Sequence, residues 1–143
     1  MSRVVVNEIE AKVGNDVKFN SNIANPTTVK GEGSATTNLQ QGLAKSWAQF
    51  ENDPVINKGF NTASITDNAT GDHSITYTNN MDGTAYAVAT SGTVDDGSYQ
   101  VFVSVDHDRG GPRAAGVDLN VVSDGGGLTD AELLSFISHG DLA

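Results

Sequence analysis

The stretch 64–78 reads SITDNATGDHSITYT, and it decides the fold class of this chain. Its apolar residues Ile65, Ile75 and Tyr77 stand among Thr, Asn, Asp, Ser and Gly. Short alternating runs on either side of a cluster of turn-forming residues are typical of two strands joined by a turn. We therefore predict a β-hairpin with its turn at 67–71.

The same pattern continues outward from this hairpin, because turn signals such as Asp82-Gly83 and Gly110-Gly111 separate further alternating runs. The loop 107–114, HDRGGPRA, is predicted to join the last two runs as a hairpin. Regular short strands with turns between them favour an all-β fold, an antiparallel β-sandwich, over a parallel sheet. The predicted strands are Gly59–Thr66, Gly71–Thr78, Thr84–Ser91, Ser98–Asp106 and Ala115–Ser123.

Two short helices are predicted beside the strands. In the linker 37–44, Thr37 and Gln40 have the spacing of a capping box, and apolar residues follow at intervals of four. From Lys45 to Phe50 we predict a strand, with Trp47 on one side and Phe50 on the other.

The second helix is predicted after the run Gly125-Gly126-Gly127. Thr129 and Glu132 again have capping-box spacing, and His139 precedes Gly140 where a helix would end. An apolar stripe lies between these signals: Leu133, Leu134, Phe136 and Ile137.

These elements predict four parts of the chain: an extended N-terminal attachment arm (1–36), a short helical linker (37–44), a β-sandwich head (45–124), and a Gly linker with a C-terminal helix (125–143). The arm is too thinly apolar to build a core, so we expect it to bind another chain or to pack on the rest of the domain. Its candidate docking residues are Val4, Val6, Ile9, Val17 and Phe19.

The amino-acid composition limits the classes of partner and chemistry that we expect. Asp plus Glu number 18 against 8 for Lys plus Arg, a net charge of −10, so nucleic acid is not an expected partner. Cysteine is absent, which excludes disulfides, thiolate metal sites and cysteine nucleophiles. We see no signal peptide and no apolar run of about 18 residues, so synthesis in the cytoplasm and no membrane span are expected.

The chain offers weak candidates for metal-binding or catalytic residues. Asp106-His107-Asp108 has metal-ligating atoms, but a solvated hairpin turn explains it better. The run 67–72 lacks an oxygen ligand at its third position, so calcium is not expected there. The carboxylates lie mostly in turns, so we expect no catalytic residue, no cofactor and no enzyme activity, a glycan-cleaving module being a distant alternative. The aromatic residues Trp47, Tyr77, Tyr86 and Tyr99 would stack on sugars or pack in the core.

Two segments carry a resemblance to a known family: LQQGLAKSWAQF (39–50) and GFNTASITDNATGDHSITYTNNMDGTAYAVAT (59–90). They resemble a module of virion surface proteins of tailed phages, especially tail-fibre proteins of marine and cyanobacterial phages. VVVNEIEAKVGNDVKF (4–19) and GEGSATT (31–37) are similar to the opening of such proteins. The resemblance covers roughly 1–105. The segment 116–143 departs from it.

The resemblance implies a structural virion protein, made in the host cytoplasm and trimeric in the manner of fibres, with its arm on other virion proteins and its sandwich outward. One expectation is a short tail fibre that attaches to the host, with cell-surface polysaccharide as the candidate partner. The alternative is a head fibre or a capsid decoration protein. The predicted host-contact loop is Asp106, His107, Asp108, Arg109 and Arg113.

Overall fold

The computed structural model describes residues 28–30, 36–38, 42–94 and 99–143. Within these residues the chain forms strands that all pair in antiparallel fashion. The strands are β1 Thr28–Lys30, β2 Thr36–Asn38, β3 Ser46–Glu51, β4 Ile56–Phe60, β5 Thr62–Ala69, β6 Asp72–Tyr77, β7 Ala87–Thr93, β8 Val101–Val105, β9 Pro112–Arg113, β10 Gly116–Ser123 and β11 Leu133–His139. Strands β1 and β2 pair with each other.

The remaining strands form two sheets. The first sheet has the order β5-β6-β10-β8, with β9 paired to β10. The second sheet has the order β4-β3-β11-β7. The predicted hairpin of the opening stretch is confirmed as β5 and β6, in which Ile65 lies opposite Ile75. The predicted hairpin around 107–114 is confirmed as well, because β8 and β10 pair with Val105 opposite Leu119.

The chain passes from the second sheet to the first at Asn61. This residue has a φ of 54°, in the left-handed region where asparagine is tolerated better than most residues. Its side-chain amide donates to the carbonyl oxygens of Lys45 (2.9 Å) and Asn79 (3.0 Å), and its Oδ1 accepts the Asn79 N–H (2.7 Å). The predicted strand 59–66 is therefore two strands in different sheets, divided at this corner.

The core lies between the two sheets. Tyr77 of the first sheet packs on Phe136 of the second with ring centroids 6.4 Å apart, and His73 meets the edge of Phe50 at 5.6 Å. Alternation of side chains along each strand delivers apolar residues to this layer from both sheets. The buried apolar residues are Ala48, Phe50, Ile65, Ile75, Tyr77, Met81, Val117, Leu119, Val121, Ala131, Leu134 and Phe136.

The predicted C-terminal helix is wrong, because 133–139 form strand β11 at the centre of the second sheet. Leu134 and Phe136 point into the core, while Leu133, Ser135 and Ile137 face outward. The supposed capping residue Glu132 instead donates its backbone N–H to the Thr93 carbonyl oxygen at 2.9 Å. Apolar residues on both faces of a strand can have the same spacing in the sequence as the apolar stripe of a helix, which explains the error.

The predicted linker helix at 37–44 is not shown. Thr37 and Asn38 belong to strand β2, residues 39–41 lie outside the described residues, and Gly42 is helical. The strand predicted at 45–50 is confirmed, with Phe50 buried and Trp47 on the opposite face. In the described ranges no helix is long and apolar enough to cross a membrane.

Candidate functional site

The predicted contact loop is a folded turn anchored by Asp106. This residue is buried, and its Oδ1 accepts the backbone N–H groups of Asp108 (2.9 Å) and Arg109 (3.3 Å). Its own N–H donates to the Asp118 carbonyl oxygen at 2.8 Å, which ties the loop to β10. Such local bonds from an aspartate fix a turn without help from a ligand. His107 and Asp108 are exposed at the tip.

The two arginines of the loop turn back onto the outer face of the first sheet. An Arg109 Nη lies 2.5 Å from Oδ2 of the buried Asp72 and its Nε lies 3.9 Å from Asp106. The Arg113 guanidinium contacts both carboxylate oxygens of Asp118, with Nη2 2.8 Å from Oδ1. The five predicted contact residues are thus neighbours, but three of them already have partners inside the protein.

The Arg113–Asp118 pair sets the ionisation of a buried carboxylate. Burial alone would raise the pKa of Asp118, but hydrogen bonds from Arg113 and Ser74 and the guanidinium charge outweigh it, so the net pKa lies below the ordinary value. The carboxylate therefore stays ionised and holds β9 against β10. This pair has the geometry of a structural brace.

Two tyrosines form a second polar cluster, at one end of the sandwich. The Tyr77 hydroxyl lies 2.9 Å from Ser138 Oγ and donates to the Tyr86 hydroxyl at 3.3 Å. The Tyr86 hydroxyl contacts the carbonyl oxygens of Gly116 (2.6 Å) and Arg113 (3.0 Å). Burial raises the pKa of both phenols above the ordinary value, so both remain neutral and link the two sheets.

The other predicted groups separate widely. His73 is fully buried, His107 is at the loop tip, and His139 ends β11. The calcium-like run is the β5–β6 turn, where the Asn68 amide donates to Asp72 and to Ser74. The described part of the chain holds no group of three His, Cys, Asp or Glu residues arranged for a metal ion. The predicted docking residues Val4, Val6, Ile9, Val17 and Phe19 lie outside the described residues.

The four aromatic residues weighed for sugar stacking also part. Tyr77 is in the core, Tyr86 is half-buried in the cluster above, and Trp47 lies on the outer face of the second sheet. Tyr99 is half-buried just before β8. Opposite Trp47, on β4, is Phe60, whose exposed fraction is 55%. The sequence did not point to Phe60, because it lies in the stretch that was predicted as one strand with β5.

Beside Trp47 the outer face of the second sheet forms an open groove of about 410 Å³. Strand pairing gives the groove two rows of side chains. Trp47, Ile137 and Ala89 lie side by side in the first row, and Gln49, Ser135 and Ser91 lie side by side in the second. The small side chains of Ala89, Ser91 and Ser135 make the depression, and Trp47 stands at its side. We call this surface, 47–49 with 89–91 and 135–137, the outer groove.

Sequence reasoning missed the outer groove because its floor is β11, which was predicted to be a helix. LLSFISH (133–139) gives no local signal of this strand, because Leu133 and Ile137 on one face and Leu134 and Phe136 on the other hide its period of two.

Comparison of the chain with protein-family models, with curated proteins and with solved structures finds no match.

Proposed function

We propose that this protein is a structural virion protein of a tailed phage, a short tail fibre or fibre-like appendage that contributes to attachment to the host. The resemblance of 39–50 and 59–90 to tail-fibre modules carries the proposal. In the structure these residues supply strands of both sheets, including the β5–β6 hairpin and β3. The resembling residues therefore supply part of the scaffold in each sheet, which supports a shared architecture as the basis of the likeness.

The state of the buried acids supports a non-enzymatic role. Asp72 and Asp118 are each paired with an arginine, and Asp106 accepts backbone N–H groups. An acid or base in catalysis needs an accessible reacting position next to it, whereas these carboxylates hold secondary structure together. We accordingly propose that the sandwich presents a surface and carries out no reaction.

We further propose that the working unit is a homotrimer whose arm, residues 1–36, docks on other virion proteins. Three copies of a weak site gain avidity through effective concentration, so a shallow polar surface can suffice for adsorption. Sedimentation equilibrium of the full chain is expected to give three times the chain mass of 14.9 kDa. A monomer at micromolar concentration would overturn the trimer.

Labelling of intact virions tests the proposed location. Gold-labelled antibody against the protein, viewed by electron microscopy, is expected at the tail. Label spread over the shell would instead make the protein a head fibre or a capsid decoration protein with an architectural role. Release of reducing sugar from host surface polysaccharide, abolished by one carboxylate substitution, would overturn the non-enzymatic assignment.

A further inference from the structure

We infer that the outer groove binds a short segment of neutral glycan. The inference deepens the proposed attachment role and rests on it for its biological meaning. The volume of the outer groove, about 410 Å³, lies in the usual range for binding sites of small ligands, roughly 300–1,000 Å³. Three neighbouring strands span about 10 Å, so the footprint suits one or two sugar rings.

The lining matches the two chemical surfaces of a sugar. Trp47 and Ile137 provide apolar surface for the C–H groups on the face of a sugar ring, and the indole of Trp47 is the larger of the two surfaces. Gln49, Ser91 and Ser135 provide donors and acceptors for hydroxyl groups. Gln49 and Ser91 are exposed and Ser135 is half-buried, so the polar groups of all three side chains can reach a ligand in the groove.

The charge of the lining indicates a neutral ligand. The chain carries a net charge of −10, yet none of the residues that line the groove is charged. The nearest cation by strand register is Lys58, opposite Gln49. An anionic polysaccharide would meet repulsion from the acidic surface with one lysine to offset it, whereas a neutral chain meets no such penalty.

A second copy of the protein fits the groove less well. A stable protein interface buries roughly 800 Å² on each partner, far more than the area beneath three strands over three residues. The recessed rows of Ala89, Ser91 and Ser135 also offer a depression, whereas nearby Phe60 protrudes. A single narrow chain with hydroxyl groups fills such a depression better than the broad face of another sheet.

Trp47 is the one tryptophan in the chain, so its fluorescence reports on the groove directly. The full-length protein would be titrated with a panel of neutral hexasaccharides: cellohexaose, maltohexaose, laminarihexaose, xylohexaose and mannohexaose, with hexagalacturonate as the anionic comparison. We expect a saturable change for at least one neutral sugar. Its apparent Kd is expected to rise at least tenfold in Gln49→Ala and in Ser135→Phe, which fills the depression.

The matched control is Ser104→Phe, the same substitution at an exposed position of β8 on the outer face of the first sheet, where it should leave binding unchanged. Circular dichroism and urea unfolding would establish that each variant folds. No saturable response to the neutral panel would overturn the inference. So would a response to hexagalacturonate alone, an equal loss in Ser104→Phe, or loss of self-association in Ser135→Phe, which would assign the groove to subunit contact.

Failure here is distinguishable from failure of the proposed function. Sugar binding with label over the capsid would keep the site while removing the adsorption role at the tail. Label at the tail without sugar binding would keep the appendage and overturn the site.

Discussion

Replacement of Gly71 by alanine tests the geometry of the hairpin that decides the fold. Gly71 is buried at the β5–β6 turn and has a φ of +68°, a conformation that residues with a Cβ rarely adopt. An added Cβ would lie 2.6 Å from the carbonyl oxygen of Val121 and 2.7 Å from that of Thr129. Both neighbours are backbone atoms, so neither can move without displacing its strand or loop.

The cost can be estimated from the groups affected. A left-handed conformation costs a residue with a Cβ about 1–2 kcal/mol. The clash also disturbs two hydrogen bonds, from Val121 N–H to the Gly71 oxygen (2.8 Å) and from Gly71 N–H to Asp130 Oδ1 (2.7 Å), worth about 1 kcal/mol each. Gly71→Ala should therefore lower the free energy of unfolding by about 3–4 kcal/mol, a large share of the roughly 5–15 kcal/mol typical of domains.

Urea unfolding followed by Trp47 fluorescence and circular dichroism would measure this loss, with two glycine controls. Gly126 has a φ of +83° and an open surrounding, so Gly126→Ala isolates the conformational cost of about 1–2 kcal/mol. Gly83 has neither constraint, and Gly83→Ala should change stability by less than about 1 kcal/mol. If Gly71→Ala loses no more than Gly126→Ala, the close approach of β10 to the turn is refuted.

Three further changes address the pairs and the core. Arg113→Gln leaves the buried Asp118 carboxylate without its guanidinium partner and should lower the free energy of unfolding by about 2 kcal/mol at pH 7. This is less than the cost of breaking a fully buried ion pair, because Arg113 is partly exposed to solvent. Since the folded pKa of Asp118 is lowered, its contribution is present above about pH 4 and is lost as pH falls further, so acid unfolding should begin at higher pH in the variant. Tyr77→Phe should cost about 1 kcal/mol; because the folded pKa of Tyr77 is raised, wild-type stability should fall as pH rises past about 10, and less so in the variant. Ile75→Ala removes a fully buried side chain and should cost about 2–5 kcal/mol, whereas Thr76→Ala, at the exposed neighbour, should cost about 0.5 kcal/mol or less.

Urea titrations across pH check the first two changes, and titrations at pH 7 check the third. Identical acid midpoints for wild type and Arg113→Gln would contradict the brace at Asp118. An alkaline loss that is unchanged in Tyr77→Phe would mean that other groups cause it. Equal costs at Ile75 and Thr76 would contradict the assignment of the inner face of β6.

The sequence predicted those parts of the fold in which one face of a strand is apolar. Ile65, Ile75 and Tyr77 alternate with polar residues, and a turn cluster separates the two runs, so pattern and pairing agree. The hairpin of β8 and β10 follows from the same rule. In such strands the period of two is visible because one face meets water.

The prediction failed where a strand carries apolar residues on both faces or where a corner depends on distant contacts. β11 carries Leu134 and Phe136 toward the core and Ile137 toward the groove, so its apolar residues show no period of two. The bend at Asn61 depends on bonds to Lys45 and Asn79, partners that no local pattern reveals. The outer groove could not be predicted either, because its two rows of side chains form only when β11 pairs with β3 and β7.

The central place of β11 has a consequence during synthesis. β3 ends at Glu51 and β7 ends at Thr93, yet in the second sheet β7 pairs with β11, which begins at Leu133. While a ribosome translates the residues between β7 and β11, β7 has no paired strand in its sheet. During that time the second sheet is incomplete and cannot fully cover the inner face of the first sheet. The sandwich can therefore close only after β11 has emerged, so the strand that joins β3 to β7 is also the last one needed to complete the fold.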